Sequence, residues 1–255
     1  MSWYIEEQNP VYLDYNATTP LASEVEKSIV DSLRLWGNPS SNNPNSKLAR
    51  NAIAESRNWL AKLVDVNDDA VIFTSGGTEA NNWIIHHAVN DFKKRCPGRR
   101  PHVITSEIDH PSILEPLKFL AAGGAIDLSL VRIDPNSGQV EVCDVCNALT
   151  DNTCLVTVML ANNETGVIQP LDCIVKVTKR HSETIGRHIF VHTDAAQAIG
   201  KIPVSFKDIK VDAITMVGHK FYGPRIGALI LRNRMTTEVS PWIYGGGQEM
   251  GLRSG

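Results

Sequence analysis

Val71-Ile72-Phe73-Thr74-Ser75-Gly76-Gly77-Thr78-Glu79 is the stretch that decides the fold of this 255-residue chain. The apolar and β-branched residues at 71–74 favour a short buried strand, and the two glycines favour a tight turn. Residues 79–93 then predict a helix. A strand followed by a glycine turn and a helix is the first half of a unit that joins parallel strands.

The same alternation continues along the chain. Further strands are predicted at residues 103–105, 128–131, 155–159, 188–192, 213–217 and 228–231, and further helices at 47–64, 112–120 and 171–181. This pattern predicts an α/β fold with a mostly parallel sheet covered by helices on both faces. Ligands of such sheets bind beyond the carboxyl ends of the strands.

Composition excludes several classes of protein. A hydrophobic fraction of 42% permits a sizeable core, and a formal net charge of −3 predicts no nucleic-acid partner. No apolar run approaches the roughly 20 residues of a membrane span, so no membrane partner is expected. The first residues lack the pattern of a signal or transit peptide, which predicts a cytoplasmic protein.

The five cysteines have scattered spacings, which argues against a disulfide framework. Cys143-Asp144-Val145-Cys146 could be a redox or metal pair. No second pair of cysteines or histidines with zinc spacing accompanies it, so the prediction is two thiols in a helix and no metal site.

Polar residues follow several of the predicted strands. Gly77 and Thr78 stand where a strand ends and a helix begins, so free backbone N–H groups and the helix dipole can bind a phosphate there. The alternative is a glycine turn that only starts a helix. Asp194 follows the strand at 188–192. It could cap a helix, or it could be a buried carboxylate that pairs with the protonated ring nitrogen of a pyridine-containing ligand.

Lys220 follows the strand at 213–217 in Gly218-His219-Lys220-Phe221-Tyr222-Gly223-Pro224. It could be a surface lysine, or a nucleophile whose pKa is lowered by a cationic ring and an apolar wall. A phosphate cradle, a carboxylate and an isolated lysine are together the parts of a pyridoxal 5'-phosphate site.

Three further residues are candidates for this site. His110 could stack on the cofactor and shuttle protons, or it could cap the helix at Ser112. Asn163 and Gln197 could each bind the ring oxygen of the cofactor, or be turn residues. His86, His87 and His181 lie on predicted helices and are expected to be solvated.

Taken together, the motifs resemble the NifS-like class V aminotransferase family, which contains cysteine desulfurases and selenocysteine lyases. The resemblance spans almost the whole chain in the family's order. The matching strings lie at residues 12–20, 73–82 (Phe-Thr-Ser-Gly-Gly-Thr-Glu-Ala-Asn-Asn), 161–166 (Ala-Asn-Asn-Glu-Thr-Gly), 192–197 (His-Thr-Asp-Ala-Ala-Gln) and 218–227.

The resemblance implies a fold-type-I, pyridoxal phosphate-dependent transferase fold and a role for each candidate. Gly77, Thr78 and His219 would contact the phosphate, and Lys220 would be the Schiff-base lysine. His110 would stack on the ring and act in acid–base steps. Asp194 would contact the ring nitrogen, and Asn163 and Gln197 the ring oxygen.

Two local departures bear on the substrate. Desulfurases usually have a serine at the position of Val217, and a Gly-Pro-Lys-Gly string where this chain has Gly223-Pro224-Arg225-Ile226-Gly227. Both departures favour a selenocysteine lyase, which forms L-alanine and reduced selenium, over a cysteine desulfurase.

The resemblance also implies an arm at residues 1–20 and a cofactor-binding large domain at 21–255 that is incomplete at its C-terminal end. The family's small domain, its nucleophilic cysteine and its substrate-binding arginine would lie beyond Gly255. The chain alone is therefore expected to be inactive, or to act only through partner binding. The full-length form would be a homodimer that acts on L-selenocysteine or L-cysteine and passes selenium to an acceptor protein.

Overall fold

The computed structural model describes residues 11–255, and its centre is a seven-stranded sheet. The strands are β1 (Val71–Thr74), β2 (His102–Ser106), β3 (Asp127–Val131), β4 (Thr153–Thr157), β5 (Phe190–Asp194), β6 (Ala213–Val217) and β7 (Gly227–Leu231). Their order across the sheet is β1-β7-β6-β5-β4-β2-β3. Strand β7 runs antiparallel to the other six strands, so the predicted mostly parallel sheet is confirmed.

Helices cover both faces of the sheet. They are α1 (Ser23–Ser32), α2 (Pro44–Leu63), α3 (Gly77–Arg95), α4 (Pro111–Ala122), α5 (Val142–Ala148), α6 (Leu171–Thr184) and α7 (Phe206–Ile209). Helices α3 and α4 pack on one face, and the end of α2 with α5, α6 and α7 packs on the other. The α/β architecture predicted from the alternation is therefore confirmed.

Alternation along the strands builds the two halves of the core. In β2, Val103 joins the cluster under α3 and α4, whereas Ile104 joins the cluster on the opposite face. Both side chains are fully buried. Complete burial of such a side chain stabilises the fold by about 1.5–3 kcal/mol. A sheet buried on both faces therefore needs continuous apolar runs, which is the pattern in the sequence.

Each predicted strand exists, and two of them are displaced by two residues. The run predicted at 155–159 is a strand only at Thr153–Thr157. The backbone N–H of Met159 donates to the Asp109 carboxylate at 2.8 Å instead of continuing the ladder. The strand predicted at 188–192 lies at Phe190–Asp194 and so extends to the predicted site carboxylate.

Three other predictions have structural outcomes. Cys143 and Cys146 lie in α5 as exposed free thiols, as predicted. In the part of the chain that the structure describes, no helix is long and apolar enough to cross a membrane. Of the predicted arm at residues 1–20, the first ten residues lie outside the described part, and the division into arm and large domain stays a proposal.

Candidate active site

A cavity of about 500 Å³ opens beyond the carboxyl ends of the parallel strands. The structure brings every predicted site residue to its wall. These residues are Gly77, Thr78, His110, Asn163, Asp194, Gln197, His219 and Lys220. They come from segments that follow β1, β2, β4, β5 and β6, and they meet because parallel strands end at one edge of the sheet.

The start of α3 forms one wall. Gly77 is the first residue of the helix and lines the cavity, and the first backbone N–H groups of a helix have no helical partners. A Cβ on Gly77 would lie 2.6 Å from Cγ2 of Val217. Glycine is therefore needed here because the valine side chain fills the space. Thr78 follows on the exposed side of the first turn.

Asp194 ends β5 as a buried carboxylate with 8% of its surface exposed. Its Oδ1 accepts the backbone N–H of Ala196 at 2.9 Å, and its Oδ2 accepts from Nδ2 of Asn81 at 2.8 Å. The side chain thus holds the turn after the strand and also lines the cavity. The helix-cap interpretation is wrong, because turns and no helix follow Asp194, whereas a buried carboxylate in the cavity is what the structure contains.

Lys220 ends a single 3₁₀ turn, Gly218–Lys220, directly after β6. Its Nζ donates to the backbone oxygen of Asn16 at 2.6 Å. Burial and the nearby charge of Lys201 lower the pKa of Lys220, and the Asp194 and Asp14 carboxylates oppose that shift. Lowering the pKa of an amine increases its nucleophilic neutral fraction at a given pH.

The segment around residues 14–19 lies across the lysine. His219 Nδ1 and the Thr18 hydroxyl are 3.0 Å apart, and the backbone N–H of Thr19 donates to the His219 oxygen at 2.9 Å. Burial, followed by the charges of Lys220 and Arg225, lowers the pKa of His219. A neutral imidazole beside the helix start can donate a hydrogen bond to an anion.

His110 precedes α4 and caps it. Its Nδ1 accepts the backbone N–H of Ser112 at 3.1 Å, and the Ser112 hydroxyl lies 2.7 Å from the same nitrogen. The ring nevertheless lines the cavity. The neighbouring Asp109 is buried and accepts from Thr105, Ser106 and the backbone of Met159, which fixes the loop that carries His110.

Gln197 and Asn163 have different surroundings. The Gln197 amide donates to the backbone oxygen of Asn16 at 2.9 Å and accepts from Lys201. Asn163 lines the cavity, whereas the neighbouring Asn162 closes the turn by accepting from the backbone of Glu164 and Thr165. Asn162 is therefore the turn residue of this pair.

The sequence interpretation missed Asn16 and Ser112, which line the cavity, and Asn81, which lies behind its wall. Asn81 lies inside one of the family strings but has no predicted role. Its position four residues after Gly77, on the buried side of the first turns of α3, was the available signal. Asn16 lies inside the family string at residues 12–20, but its contact with Lys220 spans 204 residues of chain and no local pattern predicts it.

The expectation that His87 is solvated is wrong. The side chain is 5% exposed, its Nδ1 accepts the backbone N–H of Ser240, and burial lowers its pKa to about 4. The ring also packs edge-on against Phe190 at 5.0 Å. Helix α3 is covered by the sheet on one side and by the segment containing Ser240 on another. More of its surface is therefore buried than in a helix with one apolar face, and His87 lies in this buried part.

Residues 11–253 match the aminotransferase class-V family. The chain belongs to this family. It is 43% identical to a selenocysteine lyase of Xenopus tropicalis and 44% identical to one of Rattus norvegicus, over 96% of the chain in both cases. A cysteine desulfurase IscS of Dictyoglomus turgidum is 40% identical, also over 96% of the chain.

Solved structures agree with this membership. A NifS-like protein superposes with a TM-score of 0.88 at 35% identity, covering 96% of this chain and 65% of that one. SspA, solved in complex with cysteine, has a TM-score of 0.85 at 35% identity and is covered to 67%. This class-V chain spans 60%, 61% and 59% of the length of the three curated relatives named above.

Proposed function

We propose that the cavity binds pyridoxal 5'-phosphate and that Lys220 is the residue that attaches to it. The observation that carries this proposal is the pairing of a lysine of lowered pKa with the buried carboxylate of Asp194 in one cavity. The start of α3 supplies the third part, a site for an anion.

The residues present fit a phosphorylated cofactor. Glu79 lies in the first turn of α3, where a free carboxylate would repel a phosphate. Its two oxygens are instead held by the Arg253 guanidinium at 2.8 Å and by the backbone N–H of Ser75 at 2.7 Å. The charge of this carboxylate is thereby compensated, and the helix start remains attractive to an anion.

Each residue has a chemical task in this proposal. The bound cofactor supplies an electron sink for breaking bonds at the substrate's α-carbon. Asp194 would hold a proton on the ring nitrogen, Lys220 would accept the proton from the substrate's α-carbon, and His110 lines the same cavity. Gln197 and Asn163 would orient the ring through its oxygen.

For the reaction we propose selenocysteine lyase activity in the protein of which these residues form the cofactor-binding part. L-Selenocysteine would give L-alanine and selenium in oxidation state zero, and two electrons from an external reductant such as a thiol would then reduce that selenium to selenide. Similarity at 43% and 44% identity to selenocysteine lyases supports this choice, together with Val217 at the usual position of a desulfurase serine.

Cysteine desulfurase activity is the second candidate. It is supported by the 40% identity to a desulfurase and by the likeness to SspA in its complex with cysteine. The same residues would act on L-cysteine, because sulfur and selenium leave the same carbon atom. A homodimer, a selenium acceptor protein, a cytoplasmic location and inactivity of residues 1–255 alone stay predictions.

The decisive experiment measures alanine release by the natural protein that contains this chain together with any segment that follows it. Alanine from L-selenocysteine but not from L-cysteine supports the lyase, and equal release from both supports the desulfurase. Asp194→Ala should lower either rate about a hundredfold, because the charge that stabilises the ring is lost. No alanine from either substrate, with cofactor bound, would overturn the proposed reaction.

A further inference from the structure

Behind the cavity wall lies a continuous line of hydrogen bonds that joins Asp194 to His110. Asn81 is fully buried, and its Nδ2 lies 2.8 Å from Oδ2 of Asp194 and 2.8 Å from Oγ of Ser112. The Ser112 hydroxyl in turn lies 2.7 Å from Nδ1 of His110. Helices α3 and α4 and the end of β5 each contribute to this line.

The carboxylate determines how the Asn81 amide is oriented. An ionised carboxylate only accepts hydrogen bonds, so the NH₂ group of Asn81 must face Asp194. The opposite orientation would put the amide oxygen against the carboxylate. Oδ1 of Asn81 is left buried without a hydrogen-bond partner in the described residues, a desolvation cost that the two donated bonds must offset.

The amide determines the direction of the serine hydroxyl. Both hydrogens of the Asn81 NH₂ group are used, one on Asp194 and one on Oγ of Ser112. Because Oγ accepts from Asn81, its own hydrogen is free to point at His110 Nδ1. The backbone N–H of Ser112 donates to the same nitrogen at 3.1 Å.

These two donors decide the tautomer of His110. A nitrogen that faces a hydroxyl and a backbone N–H must present its lone pair, so the ring hydrogen belongs on Nε2. Nε2 makes no hydrogen bond within residues 11–255, and the ring lines the cavity. We propose that Asn81 and Ser112 are positioning residues that hold neutral His110 as the Nε2–H tautomer, with the donor available to the cavity, and that link this choice to the ionised Asp194.

The consequence for the site is a division of roles between the two ends of the line. Asp194 is kept as an acceptor by the Asn81 amide, and neutral His110 is kept as a donor by Ser112. A group bound between them would meet a carboxylate on one side and an N–H on the other. A role of this arrangement in catalysis rests on the proposed function. The tautomer of His110 does not, because it follows from hydrogen bonds within the chain.

The test is two-bond ¹⁵N–¹H correlation NMR on the chain labelled at its histidines, recorded without cofactor at a pH where the ring is neutral. The parent chain should give the Nε2–H pattern for His110. Ser112→Ala should shift the tautomer ratio about fivefold toward Nδ1–H, the effect of one net hydrogen bond. Ser112→Thr, which keeps the hydroxyl, should restore the parental ratio.

Asn81→Ala should shift the ratio in the same direction, because the Ser112 hydroxyl is no longer oriented. Ser46→Ala, which removes a buried hydroxyl from α2, is the matched control and should leave His110 unchanged. An Nδ1–H pattern in the parent chain, or equal ratios in Ser112→Ala and Ser112→Thr, would overturn the proposal. Should Asn81→Ala fail to fold, the two Ser112 variants and the parent spectrum decide it.

Failure of this proposal and failure of the proposed function give different results. If the chain shows the Nε2–H tautomer but binds no pyridoxal phosphate, the tautomer proposal is supported and the proposed function is rejected. If the chain binds the cofactor but shows the Nδ1–H tautomer, the tautomer proposal is rejected and cofactor binding is supported.

Discussion

At the scale of single residues, the packing of the cavity wall requires a small residue wherever a neighbouring side chain fills the space. Gly77 and Val217 are such a pair, because a methyl group on Gly77 would meet Cγ2 of Val217 at 2.6 Å. A methyl group on the adjacent Gly76 would have nothing within 4 Å, and the φ of 167° at Gly76 is ordinary extended backbone. Two adjacent glycines therefore have different structural requirements.

Gly77→Ala is expected to destabilise the chain by about 1–3 kcal/mol, because the buried Val217 has little room to move. Gly76→Ala is the matched control and should change the free energy of unfolding by less than about 0.5 kcal/mol. Val217→Ala should relieve the clash, so the double variant should be more stable than the sum of the single effects. Urea unfolding of the four proteins measures this coupling, and strictly additive energies would contradict it.

A second prediction at this scale concerns Lys201. Its Nζ donates to Oδ1 of Asn16 at 3.2 Å and to the Gln197 side chain, and its charge helps to lower the pKa of Lys220. Lys201→Met should therefore raise the pKa of Lys220, though only in part, because burial is the larger cause. The pH dependence of Lys220 acylation, followed by peptide mass spectrometry, measures this shift.

Lys207→Met is the control for that experiment, since Lys207 forms an exposed ion pair with Asp65. It should leave the acylation profile of Lys220 unchanged. If Lys201→Met lowered the pKa of Lys220 or left it unaltered, the second lysine would have no electrostatic role in the site.

At the scale of elements, the segment after β7 is fastened to the rest of the fold by two mostly buried ion pairs. Glu249 accepts from Arg57 of α2 and from the backbone N–H of Phe73 in β1, each at 2.7 Å. Arg253 pairs with Glu79 at the start of α3. Glu249 has a φ of 47°, a conformation that a non-glycine residue adopts only when its contacts compensate.

Glu249→Gln should lower the free energy of unfolding by about 2 kcal/mol, because Arg57 would keep its charge in a site where only 13% of its side chain is exposed. Glu115→Gln, which breaks an exposed pair on α4, should cost less than about 0.5 kcal/mol. Denaturant unfolding measures the loss of unfolding free energy in each of the two variants. Equal, small losses would show that the Glu249 pair does not fasten the segment.

The elements themselves could be predicted from the sequence, whereas their ends could not. Runs such as residues 213–217 are β-branched, apolar and short, and this strand has the predicted bounds. The end of β4 depends on the bond from Met159 to Asp109, two residues that lie 50 positions apart. A local pattern contains no information about such a contact.

The candidate site shows the same limit. Residues such as Asp194 and Lys220 could be predicted because they follow strands, and the carboxyl ends of parallel strands meet. The roles of Asn81 and Ser112 were missed because Asn81 contacts Asp194 across 113 positions and Ser112 across 31 positions of the chain. Their roles could be inferred only after the atoms were placed.

At the scale of the whole molecule, three buried ionisable groups connect folding to pH. Burial lowers the pKa of His87 to about 4 and that of His192 to about 3, and it raises the pKa of Asp109 to about 6. The histidines contribute stability that is present above about pH 6.5 and is lost as the pH falls through their folded pKa values. Asp109 contributes stability that is present at low pH and is lost as the pH rises through about 6.

The two histidines outweigh the single carboxyl group, so stability should fall on acidification. Between about pH 6 and 5 the unfolded chain binds about one more proton than the folded chain at these groups, which corresponds to about 1.4 kcal/mol per pH unit. Asp109→Asn should make this slope steeper, because the opposing group is removed. Denaturant unfolding at several pH values measures the slope, and a stability that rises on acidification would contradict this account.

The central claim is that Lys220 holds pyridoxal phosphate in the cavity beyond the strand ends. The most direct measurement is borohydride reduction of the chain mixed with pyridoxal phosphate, followed by peptide mapping. We expect the reduced cofactor on Lys220, both in the parent chain and in Asp194→Ala, and loss of the visible absorbance of the bound cofactor in Lys220→Ala. Label on Lys201 or Lys207 in place of Lys220, or labelling that is the same in Lys220→Ala as in the parent chain, would contradict the claim.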